Sequence, residues 1–125
     1  MNLRESGQDY LEAIYVLKEE NNLVKSIDIA KHLNVTKQSV HRAIKNLKEN
    51  SYINVDEKGF ITLTEQGFSV ASNIYEKHKI LSSFFISLGV PKDIAYLDAC
   101  KIEHDISVES FNAIKNLVNK NDNNK

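Results

Sequence analysis

The chain is 125 residues long, with 42% hydrophobic and 26% charged residues, a formal net charge of −1, one Cys and one Pro. A chain of this size can fold without a disulfide or a structural metal, and its single Cys excludes an intrachain disulfide framework. It has no run of about 18 apolar residues that could cross a bilayer, and residues 1–9 lack the apolar stretch of a signal peptide. We therefore expect a cytoplasmic protein without a membrane partner, in which any attraction to nucleic acid depends on a local basic patch.

Three short helices and a hairpin are predicted in the first half of the chain. Apolar residues recur at helical spacing over residues 9–18, after Ser26 and after Thr36, and both of these hydroxyl residues are favourable N-caps. Two strand-like segments joined by a polar loop follow within residues 52–63. Two helices separated by a tight turn and followed by a hairpin are the outline of a winged helix-turn-helix.

The second half of the chain is predicted to form three further helices. Thr64 is expected to cap a long helix that carries His78 within its apolar stripe. Pro91 begins a helix that runs to about His104, and Ser107 caps the last helix.

Positive charge is concentrated in the predicted helix-turn-helix. Between residues 25 and 48 there are six basic residues and one acidic residue, which gives this segment a net charge of +5. Apolar residues occupy one side of the third helix, so donor-rich side chains suited to base edges and phosphates lie on the other. The candidate DNA contacts are Lys25, Thr36, Lys37, Gln38, Ser39, His41, Arg42, Lys45 and Lys58. The simpler alternative is a solvated basic helix, and the adjoining turn and hairpin argue against it.

A thiol, a carboxylate and an imidazole occur together at Cys100, Glu103 and His104. Their spacing of i, i+3 and i+4 places all three side chains on one face of a helix. This mixture of sulfur, oxygen and nitrogen favours a first-row transition metal over Mg²⁺ or Ca²⁺. Further donors that could complete the shell are Asp9, Glu12 and His78.

Each of these donors also has a simpler interpretation. A lone His78 would more often be a hydrogen-bonded core histidine, and a lone Cys100 a small buried apolar residue. Two acids in a first helical turn, such as Asp9 and Glu12, interact favourably with the helix dipole. The coincidence of donors on three helices nevertheless supports a metal site, because a buried seam tolerates charged groups poorly unless something binds them.

The chain resembles the DtxR/MntR family of metal-dependent transcriptional repressors. The stretches that carry the resemblance, in order and spacing, are 9–15, 27–40, 63–67, His78 and 102–107. The resemblance implies a homodimer that represses genes of metal-ion homeostasis by binding a palindromic double-stranded operator when activated by Mn(II) or Fe(II). It implies the metal ligands Asp9, Glu12, His78, Cys100, Glu103 and His104.

Two departures place this sequence between the branches of the family. The manganese branch usually has a carboxylate where this chain has Cys100, whereas the iron branch has Cys there and Met where this chain has Asp9. We expect no SH3-like C-terminal domain, and the resemblance is then to the short manganese branch.

The resulting prediction is a mainly α fold with a small β-hairpin. Residues 1–70 are expected to form the winged helix-turn-helix domain, 71–118 an all-helical metal-binding and dimerisation domain, and 119–125 a disordered tail. A metal held by both halves would fix the angle between them and favour the groove spacing of about 34 Å that two recognition helices require.

Two other functions fit parts of the same pattern. The first is a winged-helix regulator gated by a small molecule, and the second is a small metalloenzyme. The sequence has no evident general base beside the ligands and no nucleophile motif, so we expect no enzymatic activity.

Overall fold

A computed structural model describes residues 5–123 of the chain. Along these residues the elements are α1 (Glu5–Asn21), α2 (Ser26–Leu33), α3 (Lys37–Glu49), β1 (Ile53–Val55), β2 (Ile61–Leu63), α4 (Glu65–Ser87), α5 (Lys92–Ile102) and α6 (Val108–Asn123). The chain divides into two compact units, one that ends at Ser72 and one that begins at Asn73. The predicted fold class is confirmed, since the described residues form helices and one two-stranded antiparallel hairpin. Among these residues, every helix is too short or too polar to cross a bilayer.

The first unit is built around one apolar core. In it α1 packs against α2, α3 and β2, and α3 packs against α2 and β1. Each large side chain that is fully buried in this way stabilises the fold by about 1.5–3 kcal/mol. The core residues are Tyr10, Leu11, Ala13, Ile14, Leu17, Val24, Ile29, Val40, Leu47, Tyr52, Ile53, Ile61 and Ala71. Because α3 contributes to this core, its opposite face is held toward solvent.

The hairpin is attached to the helix-turn-helix by a backbone hydrogen bond. The Ile61 N–H donates to the Val24 carbonyl at 2.8 Å, which joins β2 to the loop before α2. In the turn, Asp56 Oδ1 accepts two backbone N–H groups, each at 2.9 Å, and Gly59 supplies a positive φ of 87°. The hairpin is therefore fixed at its base and at its tip.

The start of α4 is held closely against the chain before β1. The Thr64 N–H donates to the Tyr52 carbonyl at 3.1 Å, and its hydroxyl donates to the Ser51 carbonyl at 2.7 Å. A Cβ on Gly67 would lie 2.0 Å from the Tyr52 carbonyl oxygen, so this position has room only for glycine. These contacts explain why the segment 63–67 contains a Thr that can form both hydrogen bonds and a Gly that has no side chain.

Three of the predicted N-caps are confirmed, and one is wrong. The hydroxyl oxygens that accept a backbone N–H at 3.1 Å are those of Thr36, Thr64 and Ser107. Ser26 instead lies inside the first turn of α2, and Lys25 takes the N-cap position. The Lys25 N–H donates to Asp28 Oδ2 at 2.9 Å, because a first-turn carboxylate can reach back and also interacts favourably with the helix dipole.

The helix ends differ from the sequence prediction at two places. α5 ends at Ile102, so Glu103 is its C-cap and His104 lies beyond the helix. α6 continues to Asn123, whereas we expected disorder from residue 119; residues 124–125 lie outside the described part. No Pro or Gly interrupts the chain after Val118, and exposed polar residues are compatible with a continuing helix.

The second unit has a smaller apolar core and a link between its outer helices. Its buried apolar residues are Ile74, Leu81, Ala95, Ala99, Phe111 and Val118. The Lys115 ammonium lies 2.5 Å from Glu76 Oε1, and Lys77 lies over the Phe111 ring with its nitrogen 6.0 Å from the centroid. These contacts join α6 to α4.

Candidate metal centre and nucleic-acid interface

The Glu103 carboxylate is completely buried in the second unit. Its Oε2 is hydrogen-bonded to Nδ1 of His78 at 3.0 Å, which joins the end of α5 to α4. Its Oε1 lies 3.5 Å from Nε2 of His104, but no hydrogen-bond donor among the described residues reaches this oxygen with acceptable geometry. An orphaned, buried carboxylate oxygen is costly, so the site fits a cation that would bind it.

The position of Glu103 on α5 increases this electrostatic cost. Glu103 is the C-cap residue, and its N–H donates to the Ala99 carbonyl at 2.9 Å. The C-terminal end of a helix carries partial negative charge, which disfavours an anion there. Oxygen from Glu103 and nitrogen from His78 and His104 form a donor set that suits a divalent transition metal.

The structure places the other predicted ligands on two helices. Cys100 lies one turn before Glu103 on α5, and its thiol is exposed and not part of a disulfide. Asp9 and Glu12 lie three residues apart on α1 of the first unit, and both are half-buried. Burial raises the pKa of the neighbouring Tyr10 above 10.0, so this phenol stays neutral. The predicted ligands that the structure joins directly within the second unit are His78, Glu103 and His104.

Tyr96 is a neighbour of the site that the sequence prediction missed. Its ring centroid lies 5.8 Å from that of His78, with an interplanar angle of 44°. Lys92 lies over the Tyr96 ring, with its nitrogen 5.6 Å from the centroid. The one available sequence signal was the position of Tyr96, one turn before Cys100 on the same helix.

The outer face of α3 presents most of the predicted DNA contacts to solvent. Val40 and Leu47 are 1% and 2% exposed, and they orient the helix by anchoring its inner face. The exposed candidates on this helix are Lys37, Gln38, His41, Arg42 and Lys45. Thr36 and Ser39 bond each other, since Thr36 Oγ1 accepts the Ser39 N–H and donates to Ser39 Oγ at 2.9 Å. Their hydroxyls therefore also stabilise the start of the helix.

Two candidate DNA contacts lie beside α3. Lys58 is exposed in the loop of the hairpin. The Lys25 ammonium lies 4.9 Å from the centroid of the Phe60 ring, a cation–π contact that the sequence prediction did not include. This contact draws the basic residue before α2 toward the hairpin and places both lysines in the same unit as α3.

Two family models together match almost the whole chain. A model of the N-terminal DNA-binding domain of iron-dependent repressors matches residues 2–60. A model of the metal-binding and dimerisation domain of iron-dependent repressors matches residues 64–125. The fold and the candidate site thus correspond to a class of metal-dependent transcriptional repressors.

Individual proteins give the same result. An uncharacterized HTH-type transcriptional regulator of Methanocaldococcus jannaschii is 37% identical over 120 residues, which cover 94% of this chain and 96% of that protein. The HTH-type transcriptional regulator MntR of Bacillus subtilis is 32% identical over 113 residues, which cover 90% of this chain and 80% of that protein. The chain therefore belongs to the DtxR/MntR family of metal-dependent transcriptional repressors.

Solved structures support the fold. The manganese regulator SloR is 26% identical with a TM-score of 0.80, over 95% of this chain and 55% of that one. IdeR of T. acidophilum is 28% identical with a TM-score of 0.75, over 91% of this chain and 53% of that one. The chain spans about half the length of these two structures.

The burial of Glu103 leads to a prediction about stability without and with metal. We expect Glu103→Gln to leave the unfolding free energy of the metal-free protein unchanged or about 1 kcal/mol higher, because the amide removes a buried charge from a helix C-terminus. The same change should remove most of the stabilisation that Mn²⁺ gives, since this stabilisation depends on affinity for the folded state. Urea unfolding with and without Mn²⁺ measures both effects.

The exposed acid Glu109 in the first turn of α6 provides the control for this experiment. Glu109→Gln should retain the full response to Mn²⁺. A Glu103→Gln protein that loses stability without metal and keeps the full Mn²⁺ response would show that Glu103 is a structural residue.

The exposed face of α3 leads to a prediction about DNA. We expect Arg42→Ala to weaken binding to a selected operator duplex more than binding to random DNA, by about 1–3 kcal/mol, the typical value of one base contact. We expect Lys58→Ala to lower the salt dependence of log K by about one, with no change in sequence preference. Fluorescence anisotropy over a salt series measures both quantities. Lys120→Ala, an exposed change on α6, is the control. Equal DNA affinities and equal salt dependences for all three variants would contradict this interface.

Proposed function

We propose that the chain acts as a homodimeric repressor that binds a palindromic DNA operator when Mn(II) or Fe(II) occupies its metal site. The proposed ligands are Asp9, Glu12, His78, Cys100, Glu103 and His104. Under this proposal residues 1–70 serve as the DNA-binding domain and residues 71–118 as the metal-binding and dimerisation domain. The protein acts in the cytoplasm, where its operator is, and is a regulator and not an enzyme.

The observation that carries the metal proposal is the orphaned oxygen of Glu103. A carboxylate at 0% exposure, with one oxygen on a histidine and the other beside a second histidine, is an expensive arrangement for structure alone. Bound there, a divalent ion supplies positive charge and favours the DNA-binding state by its differential affinity for that state. His78 and His104 supply nitrogen donors, and both imidazoles lie beside the carboxylate.

The proposal of DNA binding depends on the positive charge of one segment and on the exposure of α3. The segment 25–48 carries six basic residues and one acidic residue, and the described geometry exposes the basic face of α3. A homodimer would present two copies of this helix, so a palindromic operator with half-sites about 34 Å apart matches its symmetry. The family model of a dimerisation domain over residues 64–125 supports the dimer.

The chemistry of the donors narrows the choice of ion to two candidates. Carboxylates and imidazoles suit Mn²⁺ and Fe²⁺, whereas the thiol of Cys100 shifts preference toward softer ions. The relatives named MntR and the solved manganese regulator support manganese, and the family models of iron-dependent repressors support iron.

A cavity in the first unit favours a second candidate, a regulator gated by a small molecule. The cavity has a volume of about 400 Å³, within the usual range for ligand sites, and it lies between α1 and the start of α4. It is lined by Tyr15, Lys18, Glu19, Asn22, Leu63 and Phe68. This candidate requires no metal for operator binding.

Operator binding as a function of metal separates the two candidates. We expect chelated protein to bind a selected operator duplex weakly, and we expect Mn²⁺ or anaerobic Fe²⁺ to raise the affinity by about 5- to 150-fold, the usual range of coupling between two sites. Electrophoretic mobility shift with metal stoichiometry measured alongside gives both quantities. Mg²⁺ is the control ion, because it prefers an all-oxygen octahedral shell. Equal operator affinity in chelated and metal-loaded protein would contradict metal gating and support the second candidate.

The thiol on α5 leads to a prediction about metal preference. We expect Cys100→Ser to weaken the affinity for both Mn²⁺ and Fe²⁺ by at least about tenfold, a loss that even an outer-shell partner can cause. We expect Cys100→Glu to shift relative activation toward Mn²⁺, because it replaces a soft donor by a hard one. Calorimetric titration with each ion measures the affinities. Wild-type affinity for both ions in Cys100→Ser would show that the thiol is not a ligand.

A further inference from the structure

We propose that Tyr96 is a positioning residue that fixes the plane of the His78 imidazole for metal binding. This inference rests on the proposed function, since it concerns the same metal site. It assigns a role to a residue that lies outside the predicted ligand set.

One hydrogen bond does not fix the orientation of an imidazole ring. Nδ1 of His78 lies 3.0 Å from Glu103 Oε2, and with Glu103 ionised the Nδ1–H donates, which leaves the lone pair on Nε2. A ring can still rock about such a hydrogen bond, and 26% of the His78 side chain is exposed. A ring packed against the imidazole adds a restraint on the direction of the Nε2 lone pair.

The Tyr96 ring provides such a restraint. A centroid distance of 5.8 Å and an interplanar angle of 44° lie within the range of favourable aromatic pairs, which contribute about 0.5–1.5 kcal/mol beyond burial. Tyr96 precedes Glu103 by seven residues, two helical turns or about 10 Å along α5. One helix therefore carries the Tyr96 ring and the Glu103 carboxylate, which both contact His78.

Tyr96 is itself held by a residue on the same helix. Lys92 lies four residues earlier, and its ammonium is 5.6 Å from the Tyr96 ring centroid. Such cation–π contacts contribute about 0.5–1 kcal/mol at exposed sites. Lys92, Tyr96 and Glu103 thus lie in a single row along α5, and the imidazole contacts Tyr96 and Glu103.

The contact with His78 involves the aromatic ring of Tyr96. Tyr96→Phe should therefore keep the affinity for Mn²⁺ within about twofold of wild type, because it preserves the ring pair. Tyr96→Leu should weaken this affinity by about tenfold or more, the usual loss when an outer-shell partner of a metal ligand is removed.

Phe84 provides a matched control in the same unit. Its ring pairs with that of Phe85 at 5.8 Å and 46°, nearly the geometry of the Tyr96–His78 pair, but no ligand is involved. Phe84→Leu should lower stability by a similar amount to Tyr96→Leu and leave the Mn²⁺ affinity within about twofold of wild type.

Two measurements test the proposal. Competition with a fluorescent chelator gives the Mn²⁺ affinity of each variant, and ¹³C NMR relaxation of the ring C–H groups in the metal-free protein gives the amplitude of motion of the His78 ring. We expect a restrained ring in wild type and Tyr96→Phe, and a larger amplitude of ring motion in Tyr96→Leu.

The outcomes of these measurements are distinguishable. A Tyr96→Leu protein with wild-type affinity and unchanged motion of the His78 ring, or with a loss of affinity equal to that of Phe84→Leu, overturns the inference. Failure of wild type to bind Mn²⁺ or Fe²⁺ contradicts the proposed function instead. The NMR arm would then still support or refute the positioning of His78 by Tyr96.

Discussion

The second unit depends on a buried carboxylate at an unfavourable place. Glu103 lies at the negative end of α5 and is fully excluded from water, so the helix dipole and desolvation both oppose its charge. His78 hydrogen-bonds one of its oxygens, and His104 lies 3.5 Å from the other. A neutral apolar side chain of similar size would pack there at lower free energy. A divalent cation that contacted the carboxylate would offset this cost on binding.

Much of the fold was predictable because its signals are local. Apolar spacing located the helices of the first unit, and hydroxyl residues located three of the four expected N-caps. The failure at Ser26 has a local cause too, since the Asp28 carboxylate accepts the Lys25 N–H and so fixes Lys25 as the N-cap residue. The ends of α5 and α6 were harder to predict, because the free energy of adding one exposed polar residue to a helix end is close to zero.

The candidate site was predictable only in part. Helical spacing predicted that Cys100, Glu103 and His104 would share one helix face, but α5 ends at Ile102 and His104 lies beyond the helix. The bond between Glu103 and His78 joins residues 25 apart, and its existence depends on how α4 and α5 pack, which has no local signal. The ring contacts of Tyr96 and Phe60 depend on tertiary packing in the same way. The types of candidate metal ligand can thus be deduced from the sequence. The neighbouring residues that orient these ligands can be identified only from the structure.

The distribution of charge within the first unit limits how metal could act on DNA. α1 contains five acidic residues and one Lys, a net charge of −4, and it packs against the basic α3. A divalent ion on Asp9 and Glu12 would halve this negative charge, which would lie near the phosphates of bound DNA. Packed helices lie about 8–10 Å apart, close to the Debye length of about 8 Å, so each relieved charge contributes about 1 kcal/mol or less. Switching a population from 1:99 to 99:1 requires about 5.5 kcal/mol, so charge relief is too weak to switch the repressor, and a change of conformational state must contribute most of the coupling.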